Sequence, residues 1–355
     1  MDPVERFYAT IQREPVDRPC TWLGLPDPAA LEGLFRYFSV KDTRGIIEVL
    51  DDDIVPVELP YHSPTADAIY AAFDFAKKGK VKREYRTLNA PGFFEDVTDP
   101  GRVEDFDWPD PSRYIDPEEC RQVVAAAPAG RAVLGVIWSA HFQDACAAFG
   151  MENAFLQMIQ APDVVQAVID RIVAFYLTAN EIFYEATRGR LHAVLIGNDF
   201  GCQTGLMLSP AMIRRFAFPG TRQLVDQARS YGVKVIHHSC GSVRAIIPDL
   251  IEIGVDAIHP IQALAAGMEP RALKRDFGDR MSFCGGVDAQ NLMVNGTPDQ
   301  VRAQVRELKE IFPTGLIVSP SHEAILPDTP PANVQALFAA VQDTGPARRP
   351  TEPCR

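Results

Sequence analysis

Residues 233–241 read VKVIHHSCG: an apolar run broken only by Lys234 that gives way to His237, His238, Ser239 and Cys240 and stops at Gly241. The stretch 234–239 is short, rich in β-branched residues and bounded by glycines, which is the pattern of a buried strand. The segment before it begins at Ser209-Pro210 and reads as a helix running toward Gly232. Proline suits a helix's first turn, where its missing N–H would have had no partner. Helix, then buried strand, then a cluster of polar ligand-type side chains is the unit that the rest of the chain repeats.

Outward from that strand, seven more apolar runs stand near 20–24, 53–57, 133–138, 193–198, 256–259, 281–285 and 316–320. Helical patterns separate most of them. From Asp163 to about Gly189, Val164, Val165, Val168, Ile169 and Ile172 recur at helical spacing; after Thr297-Pro298, Val301, Val305, Leu308 and Phe312 share one face. Eight strands, each followed by a helix or loop, predict an α/β fold, a (β/α)8 TIM barrel, with a hairpin or lid inserted after the second strand. That insertion, residues 60–130, is rich in proline and charge. A hairpin is expected around Lys80–Arg86 and Phe93–Val97, serving as a lid or as the contact of a homodimer. Residues 1–345 then form one domain and 346–355 a loose tail. A chain of 355 residues is compatible with this, because barrels run to ~250 residues and beyond as one domain.

Composition narrows the function. Hydrophobic residues make up 46% and charged residues 23%, an ordinary globular balance. Asp and Glu outnumber Lys and Arg by 47 to 35, a formal charge of -12. The one basic stretch, KKGKVKREYR at 77–86, reads as a solvated hairpin, so nucleic acid is not an expected partner. The start, MDPVERFYATIQRE, is a polar amphipathic helix capped by Asp2, without a signal-type apolar core. No apolar run of ~18 residues offers a membrane span. Seven scattered cysteines, an odd number, argue for a reducing compartment, and a cytoplasmic location is expected.

In a barrel the chemistry gathers at the carboxyl ends of the strands. Strand two begins with Asp51-Asp52-Asp53, and the ends of the others carry Trp138 with His141 close behind, Asn198-Asp199 followed by Gln203, His237 to Cys240, His259, Cys284, and Ser321-His322-Glu323. His238 and Cys240 are two apart on an extended chain, so both face the same side and can reach one ion. Imidazole and thiolate are ligands zinc prefers, and three protein ligands with an open fourth position make a catalytic site. The third ligand has to come from another strand end, where His322, Cys284 and His259 lie; His322 is the leading candidate and Cys284 the lesser one. Plainer readings stand beside these. Alternation turns His237 away from His238 into packing, His259 before Pro260 suits a core histidine, and Cys284 in MSFCGG suits a small buried side chain. Asp199 serves either to cap a loop or to orient substrate or ligand, and the aspartate triplet holds one functional member at most.

Six segments, in order along the chain, resemble the uroporphyrinogen decarboxylase superfamily: REPVDRPCTW (13–22), LDDDIVP (50–56), GNDFGCQTGLMLSP (197–210), VKVIHHSCG (233–241), FCGGVDAQ (283–290) and SPSHEAILPDTPPANV (319–334). The resemblance implies a (β/α)8 barrel and two branches of function. The true decarboxylases carry an arginine-rich stretch after the first strand that binds the carboxylate arms of a tetrapyrrole. Here LGLPDPAALEGLFRYF (23–38) holds only Arg36, although Asp53 falls at the decarboxylases' pyrrole-binding aspartate and His322 at their late histidine.

The other branch contains zinc-dependent methyltransferases that work with corrinoid proteins. Its His-x-Cys signature matches His238-Ser239-Cys240, while the third ligand, a cysteine in a Pro-Gly-Cys-Gly setting, is replaced in Pro320-Ser321-His322-Glu323. Histidine removes one anionic sulfur and leaves the ion a stronger Lewis acid, which suits removing methyl from a methyl ether. The expected function is zinc-dependent methyl transfer involving a small-molecule methyl donor or acceptor and a corrinoid (cobalamin) carried by a partner. Asp199, Glu323 and Asp53 are the candidate catalytic residues; Gln203, Trp138 and His141 are candidates for substrate binding. Tetrapyrrole decarboxylation, or a barrel that binds corrinoid, tetrapyrrole or zinc without turnover, are the alternatives.

Overall fold

The structure is a computed structural model that describes residues 1–76, 87 and 89–343. All eight expected strands form: β1 (Cys20–Thr21), β2 (Ile54–Glu58), β3 (Ala132–Trp138), β4 (Ala193–Gly197), then, after a two-stranded ribbon of β5 (Gly201–Cys202) and β6 (Gly205–Leu206), β7 (Lys234–His238), β8 (Ala257–Ile261), β9 (Ser282–Val287) and β10 (Leu316–Pro320). The eight lie in one sheet in the order β1-β10-β9-β8-β7-β4-β3-β2. From β2 onward each main strand neighbours the next in the chain, the last, β10, pairs with β1, and with the intervening helices this is a (β/α)8 TIM barrel. Strands β4, β8, β9 and β10 are buried at every position, as strands covered on both faces must be.

By internal contacts the chain divides into two compact units. One comprises Met1–Val55, Pro128–Arg131 and the described residues from His259 on; the other comprises Pro56–Ala127 and Ala132–Ile258.

The first unit opens with the helix Pro3–Gln12, where Asp2 accepts from the Glu5 N–H and Glu5 reaches back to the Asp2 N–H, a reciprocal cap. The helix Pro298–Ile311 starts in the same way on Thr297 and Gln300 and buries Val301, Val305 and Leu308.

In the second unit the helix Pro162–Ala186 buries Val164, Val165, Val168, Ile169 and Ile172 as expected. The helix expected from Ser209-Pro210 to Gly232 is instead two, Pro210–Phe216 and Phe218–Ser230. Pro219 has no N–H to give the preceding turn and its ring crowds that turn's carbonyl, so the helix restarts there.

Among its described residues the excursion is organised by aromatic packing, with isolated antiparallel bridges only at Ser63–Ala66 and Ala76–Gly92. Phe93–Val97 is a turn and not half of a hairpin. Phe94 is fully buried, within 6.3 Å of the rings of Phe75, Phe93, Phe106, Trp108 and Phe149. Phe73 lies 4.7 Å from Phe175 on the long helix. The expected Lys80–Arg86 strand and the 346–355 tail lie outside the described residues. No helix among the described residues is long and apolar enough to cross a membrane.

Candidate metal centre

Within the second unit, β4 and β7 run parallel with Ile196 opposite His237 and Gly197 opposite His238. The pleat sends the two histidines to opposite faces. His237 stacks on Phe200 at 6.0 Å and is wholly buried, while His238 turns toward the end of β4. Gly197 is required for this approach: a Cβ there would sit 2.2 Å from the His238 carbonyl oxygen. The loops beyond the two strands are then tied together. The Ser242 N–H donates to the Cys202 carbonyl at 2.8 Å, and Gly241 takes φ 78° where a side chain would meet the Gly201–Cys202 backbone.

That closure places Asp199 beside His238 and Cys240. Asp199 Oδ1 accepts the Cys240 N–H at 2.8 Å and lies 3.3 Å from His238 Nε2; Cys240 Sγ lies 3.5 Å from the same nitrogen. One carboxylate oxygen, one imidazole nitrogen and one sulfur all fall within 4.8 Å of one another. Burial by itself would raise the Asp199 pKa, but His238 and the Cys240 N–H outweigh it and hold the carboxyl below its ordinary range. His238 is buried, and Trp138 meets it edge-on at 5.4 Å. Nitrogen, sulfur and oxygen donors converging in a half-buried site are a set that zinc accepts, so these residues fit the ion the sequence implied.

Gln143 is the residue that sequence reading missed. Its Oε1 accepts the Asp199 N–H at 3.1 Å and its Nε2 donates to Asp199 Oδ2 at 3.4 Å. Asn198, next to Asp199, accepts the N–H groups of Phe142 and Gln143 at 2.8 and 3.2 Å and so caps the helix His141–Phe149, whose own preceding residue cannot. Nothing in a single sequence pairs residues 143 and 199; the only signal was that both follow strand ends.

The other expected site residues separate into two groups. Trp138 ends β3 at φ 51° and Ser139 follows at φ 52°, backbone that non-glycine residues rarely adopt. Trp138 walls a cleft of about 220 Å³ with Glu58, Tyr61 and His62. Gln203 is exposed at the tip of the β5–β6 ribbon. His141, expected at substrate, is instead fully buried: Nε2 lies 2.9 Å from the Ala217 carbonyl, and Nδ1 lies 3.2 Å from the Ser139 carbonyl and 3.4 Å from Asn198 Nδ2. Burial lowers its pKa, and a neutral ring has one N–H, which it can donate to only one of the two carbonyls. It holds the helix break in place.

In the first unit, His322 and Glu323 follow β10. His322 Nδ1 accepts the Ala324 N–H at 3.1 Å, and Nε2 lies 3.5 Å from Glu323 Oε2. The Glu323 carbonyl accepts the Leu25 N–H at 2.6 Å, pinning this turn to the loop after β1. Cys284, the lesser ligand candidate, is buried in β9; burial pushes its thiol pKa far up, and among the described residues it joins no group of ligand-type side chains. Asp53 is the largest correction. It has no exposed surface, and its oxygens accept from Arg6 at 2.6 Å, from Arg18 at 2.7 and 3.1 Å, and from the Thr21 N–H at 2.9 Å. It is an internal counter-ion, with no lone pair turned toward a pyrrole.

A parallel barrel with a ligand-type cluster at its strand ends is the class that fold and site define. The chain belongs to the uroporphyrinogen decarboxylase family, whose model (Uroporphyrinogen decarboxylase, URO-D) matches residues 75–344. A uroporphyrinogen decarboxylase of Gloeobacter violaceus is 32% identical over 145 residues, 39% of each chain. A methylcobamide:CoM methyltransferase MtaA of Methanosarcina barkeri is 27% identical over 134 residues, 38% of this chain and 37% of that protein. The matched stretches thus span about two fifths of these relatives' own length. Among solved structures, a methyltransferase from Methanosarcina mazei superimposes with a TM-score of 0.70 over 97% of this chain and 99% of its own, at 18% identity. That likeness is one of fold.

Proposed function

We propose that this protein is a zinc-dependent methyl-transfer enzyme that moves a methyl group between a small thiol or methyl ether and a corrinoid carried by a partner protein in the cytoplasm. The observation that carries the reading is the convergence of His238 Nε2 and Cys240 Sγ beside Asp199. The likeness to the methyltransferase relative supports it, and the sequence pattern alone names His322 as a further ligand. When bound, zinc lowers the pKa of a substrate thiol or polarises an ether oxygen.

The chain's own residues do the rest. Gln143 and the Cys240 N–H fix Asp199, so its carboxylate is set beside His238 and Cys240 to orient substrate. Trp138 covers one side of His238 and walls the adjoining cleft, where it excludes water from the substrate's apolar part. Glu323 takes up or returns a proton at Oε2, beside His322. Gln203, at the exposed ribbon tip, meets the substrate or the arriving partner.

Two other readings are weaker on stated grounds. Tetrapyrrole decarboxylation needs Asp53 to face pyrrole N–H groups, and here two arginines occupy it. A barrel that only binds would retain metal yet form no product. Metal analysis with methyl-transfer assays separates all three. Purified protein is expected to hold about one zinc per chain and to lose it in Cys240→Ala and in His322→Ala. Absence of stoichiometric zinc, or a Cys240→Ala protein with unchanged metal, would overturn the reading. Zinc without transfer between any methylated corrinoid, thiol or methyl ether tested would favour the binding barrel.

A further inference from the structure

We propose that Asp199 binds the metal directly, so that His238, Cys240 and Asp199 form a nitrogen, sulfur and oxygen triad contained in one unit of the fold. The triad rests on the zinc site proposed for the same strand ends, and it moves Asp199 from orienting substrate to holding the ion.

Distances carry the argument. A tetrahedral zinc with bonds of ~2.0–2.1 Å to nitrogen and oxygen and ~2.3 Å to sulfur sets its ligands apart by ~3.4 Å (N to O) and ~3.5–3.6 Å (N to S). The observed separations are 3.3 Å between His238 Nε2 and Asp199 Oδ1, and 3.5 Å between His238 Nε2 and Cys240 Sγ. A charge-assisted N–H···O bond between the same two groups would close to ~2.7–2.9 Å. The imidazole and the carboxylate stand nearer the edge length of a coordination polyhedron than that hydrogen-bond length.

The carboxylate is also placed as a ligand is placed. Oδ1 accepts the Cys240 N–H at 2.8 Å and keeps a second lone pair for an ion. Oδ2 accepts from Gln143 Nε2 at 3.4 Å, and Gln143 Oε1 in turn holds the Asp199 N–H at 3.1 Å. Ligating carboxylates are characteristically oriented by such outer hydrogen bonds. Gly197 before it and Gly201 after it let the chain pass close enough to the β7 loop for the carboxylate to reach.

Charge gives the triad a consequence. A thiolate and a carboxylate together neutralise a divalent ion. With Asp199 as third protein ligand the centre has its two anions from the triad itself, and one tetrahedral position stays open. That position is where a substrate thiol or methyl-ether oxygen would be held.

Cobalt(II) substitution tests this without relying on turnover. Wild-type protein that binds neither zinc nor cobalt defeats the metal site as a whole, a result separate from failure of the Asp199 ligand alone. Given metal in the wild type, Asp199→Asn, which keeps an acceptor for the Cys240 N–H, is expected to weaken cobalt binding by about a hundredfold or more and to shift the d–d bands. An Asp199→Asn protein with wild-type bands and affinity within about tenfold overturns the proposal. Should that variant not fold, Asp199→Cys is expected to raise the sulfur count at the zinc edge from one to two; a single sulfur there overturns it equally.

Discussion

Gly197 and His238 touch backbone to backbone: a Cβ at 197 would lie 2.2 Å from the His238 carbonyl oxygen and 2.7 Å from its nitrogen. Because the obstacle is main chain rather than a yielding side chain, Gly197→Ala must push β4 away from β7 at the pair that sets the ligand register. Overpacking of this kind costs about 1–3 kcal/mol. The expected result is a lowered urea midpoint together with loss of zinc from the folded protein. Wild-type stability and metal content in this variant would show that the strand contact does not position the site.

Asp53 gives a second test, because its two candidate roles differ in what they make measurable. As the counter-ion of Arg6 and Arg18 it is buried with both partners nearly so. Removing one member of a buried ion pair leaves the others uncompensated and typically costs about 3–5 kcal/mol. Asp53→Asn is therefore expected to lower unfolding free energy by that order. A substrate aspartate would instead leave stability near wild type and lower turnover alone. Equilibrium urea unfolding with a tetrapyrrole decarboxylation assay separates the two.

The contrast between Asp53 and the strands around it shows which features a sequence can carry. Strands such as 193–197 and 316–320 were legible because a strand buried on both faces needs an uninterrupted apolar run. Helix starts at Pro3, Pro210 and Pro298 were legible because proline and its preceding cap act locally. His238 and Cys240 were legible as a pair because two-residue spacing on a strand fixes their common side. Asp53 was misread because its partners, Arg6 and Arg18, are brought to it by tertiary packing. The Gln143–Asp199 exchange was invisible for the same reason. The turn at Phe93–Val97 was misread because its order comes from rings meeting across the sequence, which leaves no period to detect.

Phe94 tests whether ring packing orders the excursion. If the segment were a lid over solvent, truncating a ring there would cost little. Its side chain is instead fully buried against Phe149 and Trp108. Phe94→Ala should destabilise the protein by about 3–5 kcal/mol and admit protease between residues 60 and 130. Cleavage and unfolding midpoints equal to wild type would mean that the aromatic cluster does not hold the segment.

Asp52, next to the ion pair, should make stability fall as pH rises. It is wholly buried; Oδ2 accepts the Leu23 N–H at 2.7 Å, while Oδ1 has no partner. Burial, helped by the charge of Asp53 and only partly opposed by hydrogen bonds from the Leu23 N–H, Thr21 and the Asp53 backbone, raises its pKa from 3.8 to about 7. In the unfolded chain the carboxyl ionises near 3.8, so between there and about 7 the folded state holds a proton that the unfolded state has lost. Folding is accordingly favoured less and less across that window, and above it the penalty is constant, at most about 4 kcal/mol. Asn resembles the protonated side chain, can still accept from Leu23, and cannot ionise. Asp52→Asn should match wild type near pH 4 and exceed it at pH 8, with a flatter stability curve between. Urea unfolding across that range reads the difference, and parallel curves for the two proteins would mean that Asp52 is already ionised in the fold.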